Sequence, residues 1–344
     1  MQQLVHTFPE QLEAAYANLS QHPLAAVPNS PSGRPWQQIL VLGMGGSGIS
    51  GSVAAGLLRG TAKMPILTCS DYAVPAWVGP ETAVIACSYS GNTEETLASA
   101  VLCSQRGARM ACVTGDDSSV ASGAAASNQL ARLAADGGWP SVMIPAGHPP
   151  RSQFGHAFAA LLHHLVALGA APAALPTELP AIAAQLRSSS VEISQATASL
   201  AAAINGRSII LYGATSQAGI LTRWRQQLNE NSKLLACHNV FPEMNHNELV
   251  GWESGSSDCA VIMLHSPDDP PRTQARMNLC RDIFSQTGAS VHRLDLEGAS
   301  PLARAIFSVH WGDWLSIQLA SINGTDPVSI RHIDFLKDAL SKLD

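Results

Sequence analysis

The amino-acid sequence predicts an α/β protein made of two similar domains, each a parallel sheet flanked by helices in a three-layer α-β-α sandwich. Short apolar runs alternate with helix-compatible segments along the 344 residues, as is typical of parallel strands covered on both faces. This length fits two domains of roughly 100 to 200 residues each. The alternation restarts after a proline-bearing stretch at residues 171–180, so we expect domains at residues 1–170 and 171–344.

The first domain should begin with a helix at residues 9–19, before its first strand. Its predicted strands are residues 39–42, 65–69, 83–87, 110–114 and 141–145. A helix-compatible segment separates each of these runs from the next. Consecutive strands should therefore run parallel, joined by helical crossovers.

The second domain should follow an Ala- and Leu-rich helical region that extends from residue 152 to residue 200 and is interrupted at the proline stretch. Its predicted strands are residues 208–213, 233–237, 260–264 and 290–294, and its predicted helices are residues 218–228, 271–286 and 302–322. The two halves share this organisation, which indicates a duplicated α/β unit.

The composition favours a globular enzyme that acts on a small molecule. Hydrophobic residues make up 46% of the chain and charged residues 13%, and the formal net charge is −6. No Lys/Arg-rich stretch or apolar run of about 18 residues is present, so we expect neither nucleic acid nor a membrane as partner. The seven cysteines are scattered without a C-x-x-C pair, and no signal-like region opens the chain, which predicts a cytoplasmic protein with reduced core cysteines.

A glycine-rich turn, GMGGSG at residues 43–48, follows the first predicted strand and opens a helical run. Glycines in this position let a phosphate approach the backbone N–H groups at a helix N-terminus. The same glycines can be aligned with G-x-G-x-x-G, and Asp71 lies about where a dinucleotide site would place its acidic residue. The turn therefore predicts a phosphate site, with a dinucleotide site or a purely structural turn as the alternatives.

A second turn, dense in hydroxyl groups, follows the predicted strand 83–87 and reads SYSGNTEET from Ser88 onward. We expect Ser88, Ser90 and Thr93 to converge on one anion, because hydroxyl groups donate hydrogen bonds to phosphate oxygens without the help of lysine. Ser47 could join them from the neighbouring strand end. N-capping of the next helix is the competing explanation for such a turn. Two such turns on neighbouring strands favour phosphate binding.

Together the two turns resemble those of the sugar isomerase (SIS) fold. In that fold the serines and the threonine of these motifs bind a sugar phosphate. Carried over to this chain, the resemblance implies phosphate binding by Gly46, Ser47, Ser88, Ser90 and Thr93. The isomerase domain of glucosamine-6-phosphate synthase and several sugar-phosphate-sensing regulators share the fold, so the turns alone leave catalysis open.

Candidate catalytic residues lie in the second half. Aldose–ketose isomerisation needs a base, a group that opens the sugar ring and a positive charge beside the enediolate. Glu230 is the candidate base, because NENSK at residues 229–233 places a carboxylate at the end of a predicted helix; a surface glutamate paired with Lys233 is the alternative. His246 lies in an unusually polar stretch, but it lacks further metal ligands at recognisable spacing, so we expect no metal.

Across its whole length the chain resembles the bifunctional phosphoglucose/phosphomannose isomerase family, whose members are short enzymes with two SIS domains. The resemblance rests on the two turns together with PPR at residues 149–151, NENSK at 229–233, NHNE at 245–248, GDW at 312–314 and the tail at 326–337. The NHNE motif and its distance from NENSK are the most discriminating of these features.

The resemblance implies a role for each candidate residue. Glu230 would transfer the proton, Arg151 would stabilise the enediolate, and His246 of the neighbouring subunit of a homodimer would open the ring. Lys337 would lie near the sugar if the C-terminal helix returns to the active site; a solvated lysine beside Asp338 is the alternative. The implied reaction needs no cofactor or metal and converts glucose 6-phosphate, and also mannose 6-phosphate, into fructose 6-phosphate through a cis-enediol.

Two other classes of protein remain as alternatives. A non-catalytic SIS regulator would keep the serine loop, but it would have no reason to retain Glu230, His246 and Arg151 together. A dehydrogenase would use the glycine turn for a nicotinamide cofactor. The sequence therefore predicts an isomerase, and the family resemblance implies active sites that are shared between two subunits.

Overall fold

A computed structural model describes residues 1–116 and 128–343 of the chain. Two separate parallel sheets form its framework, and helices cover them, which confirms the predicted fold class. The first sheet has the order β2-β1-β3-β4-β5 and consists of β1 (Gln38–Leu42), β2 (Ile66–Cys69), β3 (Thr82–Ser88), β4 (Arg109–Asp116) and β5 (Ser141–Pro145). The second has the order β7-β6-β8-β9 and consists of β6 (Ser208–Ala214), β7 (Ala236–Phe241), β8 (Cys259–His265) and β9 (Ser290–Asp295).

The described helices fall largely where the sequence predicts them. In the first half they are α1 (Gln2–His6), α2 (Phe8–Gln21), α3 (Gly45–Leu58), α4 (Glu94–Gln105), α5 (Gln129–Gly137) and α6 (Phe154–Ala167). In the second half they are α7 (Leu179–Ser188), α8 (Ser190–Ile204), α9 (Ala218–Ser232), α10 (Glu248–Gly251), α11 (Pro271–Gln286), α12 (Pro301–Ile322) and α13 (Arg331–Leu340).

Both sheets are wound in the same way. In each, the second strand in chain order lies outside the first, and the third pairs with the first on its other side. The central strand β3 is buried along all of its length, because its residues TAVIACS carry no charge to place in solvent. The shared winding agrees with a duplicated unit.

The helix α9 and the strand β7 differ from the sequence-based prediction. The helix continues to Ser232, beyond residue 228, and the strand begins at Ala236, three residues later than expected. Lys233 takes a left-handed conformation (φ 58°, ψ 32°), which ends the helix and turns the chain before the strand can start. Leu234 and Leu235, which looked like the start of a buried strand, therefore form the connection.

Helices α3 and α9 join the two halves at a close crossing. A Cβ atom added at Gly219 would lie 2.4 Å from the backbone of Ser52, and one added at Gly56 would lie 2.2 Å from the carbonyl oxygen of Ser216. Only glycine permits this approach. Helix α7 also packs on α2, across the predicted boundary, so the division at residue 170 remains a prediction.

Helix α12 forms the centre of the helical layer and packs against α8 and α9. It begins at Pro301, directly after Ser300, whose hydroxyl oxygen accepts a hydrogen bond from the N–H of Ala303 at 3.1 Å. Most of its side chains are buried, including Trp311 and Trp314. The helix thus holds the second half against the N-terminal helices.

The cysteines are unpaired, as predicted, but they are not all core residues. Cys87, Cys103, Cys112 and Cys280 are buried, whereas Cys237 is exposed at the edge strand β7. In the described ranges, no helix combines the length and the apolar character that a bilayer span requires.

Candidate active site

The glycine turn and the serine loop meet at the carboxyl edge of the first sheet, because they follow the neighbouring strands β1 and β3. This is the point where the strand order reverses, and it is where open α/β sheets bind ligands. The hydroxyl oxygen of Ser47 accepts a hydrogen bond from the N–H of Tyr89 at 3.0 Å, which ties the two turns together. A Cβ atom added at Gly48 would lie 2.3 Å from the carbonyl oxygen of Gly43, so the tight turn requires glycine.

Hydroxyl groups of the serine loop form a compact cluster. The side-chain oxygens of Ser88 and Thr93 lie 2.9 Å apart, and the oxygen of Ser90 accepts the N–H of Asn92 at 3.2 Å. Thr93 occupies the N-cap position of α4 but makes no capping hydrogen bond with its side chain, so capping does not explain that residue. Ser47 and Ser90 both accept backbone N–H groups, which leaves their own hydroxyl hydrogens able to point toward an anion.

Arg151 lies beside the glycine turn, in a 3-10 turn that follows β5 (Pro150–Ser152). A Cβ atom added at Gly46 would lie 3.0 Å from the backbone nitrogen of Arg151, so the two backbones are in contact. The side chain is only 4% exposed and donates from Nε to Asn231 Oδ1 at 2.8 Å. Burial lowers the pKa of the Arg151 guanidinium from its ordinary value, and the nearby Glu230 carboxylate opposes that shift.

Glu230 lies in the last turn of α9, and its carboxylate pairs with Arg151: Nη1 and Oε2 are 3.0 Å apart. The glutamate side chain is 26% exposed, so one side of the pair remains open. The alternative that Glu230 is a surface glutamate paired with Lys233 is therefore wrong. Lys233 Nζ donates to the backbone oxygen of Glu230 and not to its carboxylate. The fold thus brings the glycine turn, the cation and the carboxylate together from both halves of the chain.

The segment before α13 also reaches this pair. Arg151 Nη2 donates to the carbonyl oxygens of Pro327 at 2.6 Å and Val328 at 3.2 Å. Helix α13 itself has no buried residue, and Lys337 on it is exposed. Among the described contacts, none joins Lys337 to Arg151 or Glu230. Asp338 pairs with Lys342 and not with Lys337.

His246 and Glu230 lie on different elements. Glu230 precedes the six-residue strand β7, whereas His246 ends the 3-10 turn that follows it (Glu243–His246). Among the described hydrogen bonds and ion pairs, Glu230 pairs with Arg151, and none joins it to His246. His246 is exposed, although its neighbours are fixed: Met244 is buried, and the carboxylate of Glu248 accepts hydrogen bonds from Tyr212 and from Asn239.

The second sheet has an equivalent strand-order reversal between β6 and β8, but its chemistry differs. A cavity of about 600 Å³ lies there, and both Asp268 and Arg304 line it. Asp268 neutralises Arg304 through a bond of 2.6 Å, and Asp269 accepts the backbone N–H of Ser266 at 2.9 Å. Burial raises the pKa of Asp269 to about 6. Hydroxyl groups of Thr215, Ser216, Ser266 and Thr273 line this cavity together with the ion pair of Asp268 and Arg304.

A buried network behind Arg151 was not assigned a role from the sequence. Arg223 Nη2 donates to the backbone oxygen of Arg151 at 3.2 Å and pairs with Asp313 at 2.6 Å. Gln227 donates to the same carboxylate at 2.7 Å, and Asn231 donates to the hydroxyl oxygen of Ser316 at 2.9 Å. Asp313 belongs to the GDW motif and Asn231 to the NENSK motif. The residues that bind these two side chains come from distant parts of the chain.

The described residues include no group of three or more His, Cys, Asp or Glu side chains arranged to hold a metal ion. The polar contacts of the candidate site come instead from hydroxyl groups, one guanidinium and one carboxylate.

Two protein-family models match the chain: the SIS domain at residues 34–134 and the bacterial phospho-glucose isomerase C-terminal SIS domain at residues 193–340. The chain is 31% identical over 352 residues to the bifunctional phosphoglucose/phosphomannose isomerase of Caldicellulosiruptor bescii, with 98% of each protein covered. It is also 31% identical over 311 residues to the protein of the same name from Aquifex aeolicus, with 90% of this chain and 92% of the relative covered.

Solved structures agree on the fold. The C-terminal domain of glucosamine-fructose-6-phosphate aminotransferase from Francisella tularensis superimposes with a TM-score of 0.70 at 18% identity, covering 95% of this chain and 97% of that one. Such low identity shows the fold alone, whereas the near-complete alignments at 31% identity show common descent. The chain therefore belongs to the bifunctional phosphoglucose/phosphomannose isomerase family.

Proposed function

We propose that the protein interconverts glucose 6-phosphate and fructose 6-phosphate, and mannose 6-phosphate and fructose 6-phosphate, without a metal ion. The observation that carries this proposal is the pair of Arg151 and Glu230 beside the glycine turn, with Nη1 and Oε2 only 3.0 Å apart. A base and a fixed positive charge next to a phosphate site are what enediolate chemistry requires. A regulator that only binds a sugar phosphate has no use for such a pair.

In the proposed mechanism the serine loop holds the phosphate and so fixes the position of the open-chain sugar. Glu230 removes the proton from C2 and returns it to C1, while Arg151 stabilises the negative charge that develops on the enediolate oxygens. Glucose and mannose 6-phosphates differ only at C2. Rotation about the C2–C3 bond at the enediol stage would let Glu230 return the proton to either face.

Ser90 gives a direct test of the phosphate site. Replacing Ser90 by Ala should cost about 1 to 3 kcal/mol of substrate binding, which corresponds to a KM increase of about 5- to 150-fold, because a hydrogen bond to a charged acceptor is lost. The value of kcat should change little. Steady-state kinetics with fructose 6-phosphate measures both constants, and exposed Ser104→Ala on α4 is the matched control. An unchanged KM in Ser90→Ala would show that the serine only supports the turn.

We propose that ring opening is the task of His246 from the second subunit of a homodimer. The support is geometric: His246 is exposed on a fixed turn, the strand β7 lies between it and Glu230 along the chain, and among the described contacts none joins the two residues within one chain. Two-fold symmetry would supply two identical shared sites.

Hybrid dimers test this shared site. Glu230→Gln and His246→Ala should each be nearly inactive as homodimers. When the two variants are co-expressed, the mixed dimer contains one site with both residues intact, so a random mixture should recover about a quarter of the native activity. The same variants mixed after purification, without subunit exchange, are the control. An inactive, isolated mixed dimer would contradict the contribution of His246 across the interface.

Lys337 remains a proposed neighbour of the sugar. Its helix α13 begins directly after a segment that Arg151 already binds, which supports an approach of this helix to the site. A cytoplasmic location is also part of the proposal, and its support is the scattered cysteine pattern of the sequence.

A coupled assay tests the proposed activity itself. Fructose 6-phosphate is the substrate, and glucose 6-phosphate and mannose 6-phosphate are followed separately in the presence of EDTA. We expect both products to form at rates that EDTA does not change. Binding of fructose 6-phosphate without turnover would instead favour the non-catalytic regulator.

A further inference from the structure

Lys233 has an unusual backbone conformation for its residue type. It is the one non-glycine residue with a positive φ in the described ranges, at 58°, and it ends helix α9. Glycine, or less often asparagine, normally occupies this left-handed position after a helix. Any other side chain costs about 1 kcal/mol or more there. A lysine at this position therefore raises the question of what its side chain contacts.

The ammonium group of Lys233 bridges two parts of the chain that border the candidate site. Nζ donates to the backbone oxygen of Glu230 at 2.5 Å and to the backbone oxygen of Ser329 at 2.7 Å. The first contact folds the side chain back over the end of α9. The second reaches a residue 96 positions later in the sequence, in the segment before α13.

Two cations thus bind three consecutive carbonyl groups of that segment, which we call the tail segment (residues 327–329). Arg151 Nη2 donates to the carbonyl oxygens of Pro327 and Val328, and Lys233 Nζ donates to that of Ser329. Burial lowers the pKa of the Lys233 ammonium and the charge of Arg151 adds to this, whereas Asp326 opposes the shift. The tail segment therefore accepts hydrogen bonds from the same guanidinium that pairs with Glu230.

We propose that Lys233 is a positioning residue, which fixes the tail segment against Arg151 and so sets the orientation of the guanidinium toward the reacting sugar. Without Lys233, the described hydrogen bonds from distant parts of the chain to the tail segment would be those of Arg151, and the partners of Nη2 would move with the segment. A misplacement of about 1 Å can cost about 100-fold in rate. The effect on turnover rests on the proposed isomerase function, whereas the docking of the tail segment does not.

Three variants separate the ammonium group from the backbone conformation. Lys233→Met removes the charge and keeps a side chain of similar length in the left-handed conformation. Lys233→Gly removes the charge and also relieves the conformational cost, so its Tm should equal or exceed that of Lys233→Met. Lys233→Arg keeps a cation. Lys63→Met is the matched control, because Lys63 is exposed and lies outside the candidate site.

Hydrogen exchange of the amides at the start of α13, where the N–H groups of Ile333 and Asp334 donate to the carbonyl oxygen of Ile330, is measured without substrate and reports docking of the adjoining tail segment. We expect about tenfold faster exchange in both Lys233→Met and Lys233→Gly, and values near the native ones in Lys233→Arg and Lys63→Met. With fructose 6-phosphate, kcat should fall about tenfold in the Met and Gly variants while KM changes less than about threefold, because the phosphate loop is intact. If Lys233 only stabilised the fold, the loss of kcat in each Lys233 variant would instead parallel its loss of Tm.

Unchanged exchange in both Lys233→Met and Lys233→Gly would overturn the proposal, whatever the kinetics show. Faster exchange with unchanged kcat would also overturn it, because the tail segment would then be docked without effect on the reaction. If the native protein shows no isomerase activity, the proposed function fails, and the exchange experiment still decides whether Lys233 docks the tail segment.

Discussion

Replacing Glu230 by Gln is expected to lower kcat by about 1,000-fold, within the range of about 100 to 10,000 that a general base contributes. Glutamine has nearly the same shape and its amide oxygen can still accept from Arg151, but it cannot take up and return the proton at C2 and C1. KM should change little, because the serine loop that binds the phosphate is intact. The site would therefore bind substrate without converting it.

A proton-exchange experiment makes this test specific. The native enzyme should introduce solvent deuterium into fructose 6-phosphate during turnover in D2O, and Glu230→Gln should not. Glu192→Gln is the matched control, because Glu192 is exposed on α8, away from Arg151. Turnover by Glu230→Gln within threefold of the native rate would contradict the assignment of the base.

Replacing Asp313 by Ala is expected to lower the free energy of unfolding by about 3 to 5 kcal/mol, because it leaves the guanidinium of Arg223 buried without its partner. The Arg223 side chain is 2% exposed and that of Asp313 is 6% exposed. Gln227 also loses its acceptor on that carboxylate. Turnover should fall as well, since Arg223 donates to the backbone oxygen of Arg151.

Urea unfolding of single and double variants measures this effect. Arg223→Met combined with Asp313→Leu should be more stable than Asp313→Ala, because the double variant leaves no unpaired buried charge. Asp282→Ala is the matched control: Asp282 is 60% exposed, its partner Arg281 is 44% exposed, and such surface pairs contribute at most about 1 kcal/mol. Equal losses in Asp313→Ala and Asp282→Ala would contradict the importance of burial.

Most strands could be predicted from the sequence because their signal is local. The apolar run at residues 83–87 matches most of β3, since a strand buried on both faces needs a continuous run of such residues. The run at residues 141–145 matches β5, an edge strand that is buried on one face only. The predicted start of β7 was wrong for a physical reason. The left-handed conformation of Lys233 delays the strand, and an apolar pair after a helix end does not reveal it.

The serine loop and the candidate base could also be predicted, because each depends on a short motif next to a strand or a helix end. The ion pair of that base could not be predicted from any local pattern, although the family resemblance implies that Arg151 and Glu230 share one site. Arg151 binds Glu230 across 79 positions of sequence and Pro327 across 176 positions. No local pattern encodes contacts of this kind. The sequence-based alternative therefore paired Glu230 with the nearby Lys233 instead.

The sequence by itself determined the α/β organisation with two SIS-type domains and the family to which the chain belongs. Only the tertiary structure decided which charges meet: Arg151 with Glu230 and the tail segment, and Arg223 with Asp313. The physical reason is that strands and turns follow from local periodicity, whereas ion pairs depend on how the helices of two domains pack around one crossing.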